Sequence, residues 1–269
     1  MLHKTIELSD KFPGASLTTY VSDDPPELKM SPRRAAVVCP GGGYRFLSER
    51  EAEPVVKVFI AAGFNVFLLR YTVGPGAANY APLIEASLAI KHIREHASEY
   101  NIDPAYVFIC GFSAGGHLAA STGTLWNIPE VLKELGDAPA GINKPTGMIL
   151  CYPVIMYTHK HSFYNLCGTT EPTEEQINRF SLDRHVGPHT PPAFLWHTFD
   201  DKVVDVSNSL VFAEKLRENN IPFELHIFPE GVHGLALANE QTWSQKPQFL
   251  APHVECWIDL AVRWVKDFK

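Results

Sequence analysis

The chain has 269 residues, 45% of them hydrophobic and 20% charged, with a formal net charge of -7, which is the make-up of a domain with a buried core and not of a disordered or fibrous chain. The acidic balance and the lack of any Lys/Arg-rich run speak against a nucleic-acid partner. No stretch approaches the ~20 apolar residues of a membrane span, and the opening MLHKTIELSDKF has no apolar signal core, so a cytoplasmic location without a membrane partner is expected.

The first thirty residues, with ASLTTYV, are expected to form an antiparallel hairpin at the edge of a sheet. Beyond them strands and helices alternate. RAAVVCP (34–40) reads as a strand, 48–63 as a helix ending at Gly63, NVFLLRY (65–71) as a strand and 83–100 as a helix. VFICGF (107–112) is the next strand, and a helix follows from Ala114. GMILCYPVI (147–155), AFLWHTF (193–199) and FELHIFP (223–229) read as strands, and 206–220 and 253–268 as amphipathic helices. Near-continuous apolar strands between helices predict an α/β fold with a mainly parallel central sheet covered on both faces. The length suits one domain, 1–269. Residues 156–192 break the rhythm and are longer than an ordinary connection, which suggests either a surface excursion with short helices or a small cap over a site. They carry Tyr157, His159, His161, Phe163, Tyr164, His185 and His189. The two histidine pairs could suit zinc, but no carboxylate completes a ligand set. Neither a metal nor an organic cofactor is expected. Five cysteines, with no C-x-x-C pair, speak against a disulfide framework, and Trp196 and Trp257 read as core aromatics.

The junction at residue 113 carries the chemistry. A buried strand runs into Gly111-Phe112-Ser113-Ala114-Gly115 and a helix begins at once. Only a very sharp turn joins the two, and its neighbours two places away must be small. This is G-x-S-x-G, a strained elbow that lifts a serine above the carboxyl end of a sheet. A serine nucleophile needs a base, an orienting carboxylate and oxyanion donors. Downstream, LWHTFDDKVVDVSNS places Asp200 and Asp201 just after a strand, and FPEGVHGLAL places His233 in a loop after the last one. Upstream, Gly41-Gly42-Gly43 follows a strand, so the donors are assigned to the N–H groups of Gly42 or Gly43 and of Ala114. His117, four residues past Ser113, is read as a residue for packing or a local hydrogen bond, Arg45 and Glu49 as a local ion pair, and Tyr44 and Phe46 as lining for the substrate pocket.

In CPGGGYRFLSEREAEPV, GFSAGGHLAAS, HTFDDKVVDVSNS and GVHG, in that order, the chain resembles α/β-hydrolase carboxylesterases, among them the bacterial acetylxylan, acetyl and feruloyl esterases. Two positions depart from the pattern. Pro40 stands where many relatives have His, and Asp205 stands where proline is common, the latter expected to be a surface change. The resemblance implies an α/β-hydrolase fold with Ser113 as nucleophile, Asp201 as acid and His233 as base, leaving Asp200 to face away. It also implies a serine carboxylesterase acting on a small-molecule ester with a short acyl group, such as acetyl groups on xylo-oligosaccharides. Two alternatives keep the same scaffold. One is a peptidase or amidase of the prolyl-oligopeptidase type, which usually carries an added domain. The other is a non-catalytic binding module.

Overall fold

The computed structural model describes residues 1–269, the side chain of Pro26 excepted. In chain order the elements are β1 (Thr5–Glu7), β2 (Ser16–Tyr20), β3 (Arg33–Cys39), α1 (Glu53–Ala61), β4 (Asn65–Arg70), α2 (Ala81–Glu95), β5 (Ile102–Phe112), α3 (Ala114–Thr124), α4 (Pro129–Leu135), β6 (Met148–Cys151), α5 (Lys160–Cys167), α6 (Glu174–Phe180), β7 (Ala193–Thr198), α7 (Ser207–Glu218), β8 (Phe223–Phe228), α8 (Pro252–Glu255) and α9 (Trp257–Asp267). The strands form one sheet in the order β1-β2-β4-β3-β5-β6-β7-β8. β1 and β2 add the antiparallel edge, and the strands from β4 through β8 run parallel.

Successive side chains of a strand point to opposite faces, so each central strand feeds two cores. Val37, Ile109 and Leu195 enter one core with Ile90 of α2, Leu118 of α3 and Phe212 of α7. Val38, Phe108 and Trp196 enter the other with Phe59 of α1 and Trp257 and Ala261 of α9. With both faces covered, β3 to β7 cannot alternate apolar with polar residues and read as unbroken apolar runs. Trp196 and Trp257 stack with ring centroids 5.1 Å apart. β8 lies at the open edge and is only half-buried.

Several boundaries differ from the sequence reading, and proline accounts for two of them. The expected helix 48–63 divides into a 3-10 turn, Glu49–Glu51, and α1, because Pro54 is tolerated only in a helix's first turn. The expected strand 147–155 stops at Cys151. Tyr152 takes a left-handed backbone (φ 37°), Pro153 has no N–H to give, and the Val154 N–H turns to the Ser113 carbonyl at 3.1 Å. Residues 156–192 hold α5, α6 and a 3-10 turn, Leu182–Arg184. Among the described residues no helix is long and apolar enough to cross a membrane.

Candidate active site

Parallel strands carry their carboxyl ends to one edge of the sheet, and four of the loops leaving that edge converge. At the end of β5, Ser113 holds φ 53° and ψ -114°, a conformation costly for a residue with a Cβ. The surroundings leave it no alternative. A Cβ on Gly111 would lie 2.0 Å from the Gly115 carbonyl oxygen, and one on Gly115 would lie 2.1 Å from that of Cys39. The backbone N–H of Ser113 is held by Cys151 O at 3.0 Å. The serine is thus pinned between β5, β6 and the loop after β3.

From Ser113 a relay runs outward. Its Oγ–H donates to His233 Nε2 at 2.9 Å, and His233 Nδ1–H donates to Asp201 Oδ2 at 2.6 Å. Asp201 is fixed in turn: Oδ1 accepts from the N–H groups of Val203 and Val204 at 2.8 and 3.0 Å. Burial alone would push its carboxyl up. Hydrogen bonds from His197 and His233, the His233 charge and the Val203 N–H outweigh that and hold it well below the usual carboxylate range. The aspartate therefore stays ionised beside the imidazole. Asp200 faces elsewhere, with Oδ1 accepting from Gly231 N–H at 2.7 Å. Both aspartates thus shape loops, but only Asp201 reaches His233.

The glycine loop after β3 faces Ser113. Among the described residues, the N–H groups of Gly42, Gly43 and Ala114 donate to no protein acceptor. Ala114 is the first residue of α3, so its N–H also lies at the positive end of a helix. Unpaired backbone N–H groups are the kind of donor that an oxyanion requires, and a serine bonded to an imidazole is the kind of group that can be activated.

Other sequence-based readings are corrected. Tyr44 does not line an open pocket. It is 1% exposed, and its hydroxyl donates to His117 Nδ1 at 2.9 Å, while His117 Nε2–H donates to Phe180 O at 2.8 Å. The void these residues share measures about 10 Å³, too small for a ligand. Phe46 is exposed at the rim. Burial first, then a like charge on His185, hold His117 at about 4 against the pull of its bond to Phe180, so it is a neutral link between the glycine loop and residues 156–192. Glu49 does not pair with Arg45 but takes both ends of the Arg70 guanidinium, at 2.7 and 2.9 Å. Arg45 lies over the Phe46 ring instead. The two histidine pairs are not brought together: His185 bonds Asn178 O, His189 bonds Thr124 O, and His159 bonds Ser162 Oγ.

Four contributors escaped the sequence reading. His197 sits in β7 behind Asp201, its Nε2 2.9 Å from Val204 O and 3.5 Å from Asp201 Oδ2; a histidine inside an apolar strand was the available signal. Asn165 of α5 donates to Gly43 O at 3.0 Å, which ties α5 to the glycine loop. Tyr152 lays its ring edge-on against His233, with centroids 5.1 Å apart. Glu51, buried, accepts from Gly41 N–H and from Tyr152 O–H. The last three act across long sequence separations and leave no local pattern.

The sequence pattern of the BD-FAE family matches residues 24–216. The chain belongs to the BD-FAE family of α/β-hydrolases. Within curated sequences it is similar to endo-1,4-beta-xylanase B of Butyrivibrio fibrisolvens, at 41% identity over 79% of this chain and 34% of that protein. It is also similar to an acetylxylan esterase of Xylanibacter ruminicola, at 29% identity over 94% of this chain and 50% of that protein. The chain thus spans a third to a half of the length of these relatives. Among solved structures it resembles an acetyl ester-xyloside bifunctional hydrolase from Caldicellulosiruptor lactoaceticus (TM-score 0.81, 36% identity, 94% of this chain and 87% of the other). The carboxylesterase Cest-2923 from Lactobacillus plantarum is also similar (TM-score 0.85, 28% identity, 99% and 96%). Several of these relatives and structural neighbours carry the names of esterases or carboxylesterases.

Proposed function

We propose that this chain is a serine carboxylesterase that removes short acyl groups, acetyl in particular, from acetylated sugars such as xylo-oligosaccharides. The observation that carries the reading is the unbroken hydrogen-bonded chain from Ser113 through His233 to Asp201. The sugar is suggested by the relatives, whose names speak of acetylxylan and of an acetyl ester-xyloside.

In the mechanism, Ser113 Oγ attacks the ester carbonyl carbon while its proton passes to His233 Nε2. Asp201 accepts from Nδ1–H, which fixes the tautomer and favours the imidazolium. The carbonyl oxygen becomes an anion facing the N–H of Ala114 and that of Gly42 or Gly43. The tetrahedral species collapses, its C–O bond to the alcohol breaks, and the alcohol leaves with the proton from His233. Water then attacks the acyl-serine, gives a proton to His233, and the carboxylic acid departs as Ser113 recovers its proton. Residues 1–269 act as one hydrolase domain with 156–192 as its cap. The free thiols of Cys39, Cys110 and Cys151, buried in strands, suit the reducing cytoplasm.

The test is Ser113→Ala with an aryl acetate and a serine-directed phosphonate. Hydrolysis should fall by several orders of magnitude, about a million-fold in comparable enzymes, and labelling should vanish. Retention of more than a few per cent of the rate would contradict the reading. A panel of acetylated xylo-oligosaccharides, aryl esters from acetyl to octanoyl and an aminoacyl anilide then fixes the substrate. Acetyl esters should give the highest kcat/KM, and a preference for the anilide would favour a peptidase instead.

A further inference from the structure

We infer that Glu51 is a positioning residue of this site, one carboxylate that sets both the glycine loop and the bed on which His233 lies. The inference rests on the esterase reading above and adds a residue to it.

Glu51 ends the 3-10 turn after the glycine loop and is only 4% exposed. Burying a carboxyl group is expensive unless its oxygens are bonded. Among the described residues no cation pairs with it, and two neutral donors hold it instead. Oε2 accepts from Gly41 N–H at 2.8 Å, and Oε1 accepts from Tyr152 O–H at 2.7 Å. If hydrophobic packing were all this position did, an apolar side chain would serve at lower cost.

The Gly41 bond acts on the donors. A Cβ on Gly41 would lie 2.7 Å from Glu51 Oε2 and 3.1 Å from the Ser113 Cβ, so carboxylate, glycine and serine are stacked in close contact. The Gly41 carbonyl is held as well, by Ser48 N–H at 3.0 Å. A peptide group is planar, with N–H and C=O on opposite sides. Fixing both peptides that flank Gly41 therefore fixes the direction of the Gly42 N–H.

The Tyr152 bond acts on the base. The same hydroxyl that donates to Glu51 accepts from Ala236 N–H at 3.0 Å, in the loop three residues past His233. The ring above it rests against the His233 imidazole. Arg50, next to Glu51, reaches the same loop from the other side: its Nε–H donates to Thr242 O, and its guanidinium covers the Phe249 ring. The dipeptide Arg50-Glu51 thus clasps the histidine loop onto the glycine loop.

The experiment compares Glu51→Gln and Tyr152→Phe with the unaltered chain in kcat and KM for an aryl acetate, rate of phosphonylation and thermal midpoint. Rates are expressed per phosphonate-titrated site, so that unfolded material does not count. Removing one oxyanion donor costs about a hundred-fold or more. Glu51→Gln, which displaces one without deleting it, is expected to lower kcat by about 30-fold with KM within about threefold, and phosphonylation in parallel. Tyr152→Phe, which keeps the ring against His233, is expected to lower kcat by about tenfold. Either variant, folded, with kcat per site within about twofold of the unaltered chain overturns the inference. If Glu51→Gln does not fold, Tyr152→Phe alone decides. An unaltered chain that neither hydrolyses esters nor takes the phosphonate at Ser113 would instead bring down the esterase reading itself.

Discussion

Asp200 and Asp201 leave β7 side by side, and the difference between them is a matter of direction. Asp201 meets His233 and two backbone N–H groups, whereas Asp200 meets Gly231 N–H. In a related triad an amide in place of the acid favours the wrong imidazole tautomer and lowers kcat by about ten-thousand-fold. Asp201→Asn should therefore cost at least about a hundred-fold in kcat/KM. Asp200→Asn keeps an acceptor for Gly231 and should cost less than about tenfold, a loop bond being worth ~1 kcal/mol. Steady-state kinetics of the two variants checks both figures, and the reverse ranking would move the acid to Asp200. At this scale the sequence told most about residues set by backbone geometry: an elbow glycine, a glycine run, a histidine in a turn. It misjudged Tyr44, because the direction of a ring depends on a partner 73 residues away, His117.

The stretch 156–192 shows what an element contributes beyond its own residues. α5 reaches the glycine loop through Asn165, and His159 at its N-terminal end lies where a Gly43 Cβ would be 3.9 Å from its ring. Burial, and then the neighbouring His233, push the His159 imidazole down, so it stays neutral near neutral pH. Asn165→Ala should lower kcat by about five- to tenfold with little change in KM, since the lost bond orients a peptide of the loop and holds no substrate. A KM effect of equal size on an aryl acetate would show that Asn165 binds substrate instead. The existence of this excursion was legible as a break in the strand-helix rhythm. The bounds of its helices were not, because both are short and α5 packs on α6 and on the 3-10 turn Gly74–Ala77, with no periodic core of their own.

Two buried groups give the whole molecule opposing responses to pH. Burial, countered by bonds from the Thr72 hydroxyl and N–H, raises Glu85 from 4.5 to about 7. The folded state then binds the extra proton between those values, so this contribution to stability is lost as pH rises through about 7. His117 runs the other way: lowered from 6.5 to about 4 by burial, its contribution is lost as pH falls through that window. Glu85→Gln should remove the first slope and leave the second, gaining up to about 3 kcal/mol over the unaltered chain at pH 8 relative to pH 5. Denaturant unfolding at the two pH values measures this double difference, and a value near zero would mean that Glu85 is ionised in the fold. The fold at this scale was legible because strands covered on both faces must be apolar throughout. The breaks at Pro54 and Pro153 were visible as letters. Their consequences needed the neighbours: past Pro153, the Val154 N–H finds its acceptor in Ser113 O of the elbow and not in a neighbouring strand.

Ser113 and His233 are bonded across 120 residues of chain, and His233 follows β8, the strand at the far edge of the sheet. Bringing together such distant segments costs loop entropy that nearer pairings do not. A refolding chain can therefore build β3 to β6, with their helices, before it owns a working serine. Phosphonate reactivity should appear later than the circular dichroism of the sheet and helices in a stopped-flow refolding experiment. A chain cut short ahead of β8 lacks His233 and would be inert to the reagent. Titration with the phosphonate thus counts finished molecules, and spectroscopy alone overstates them.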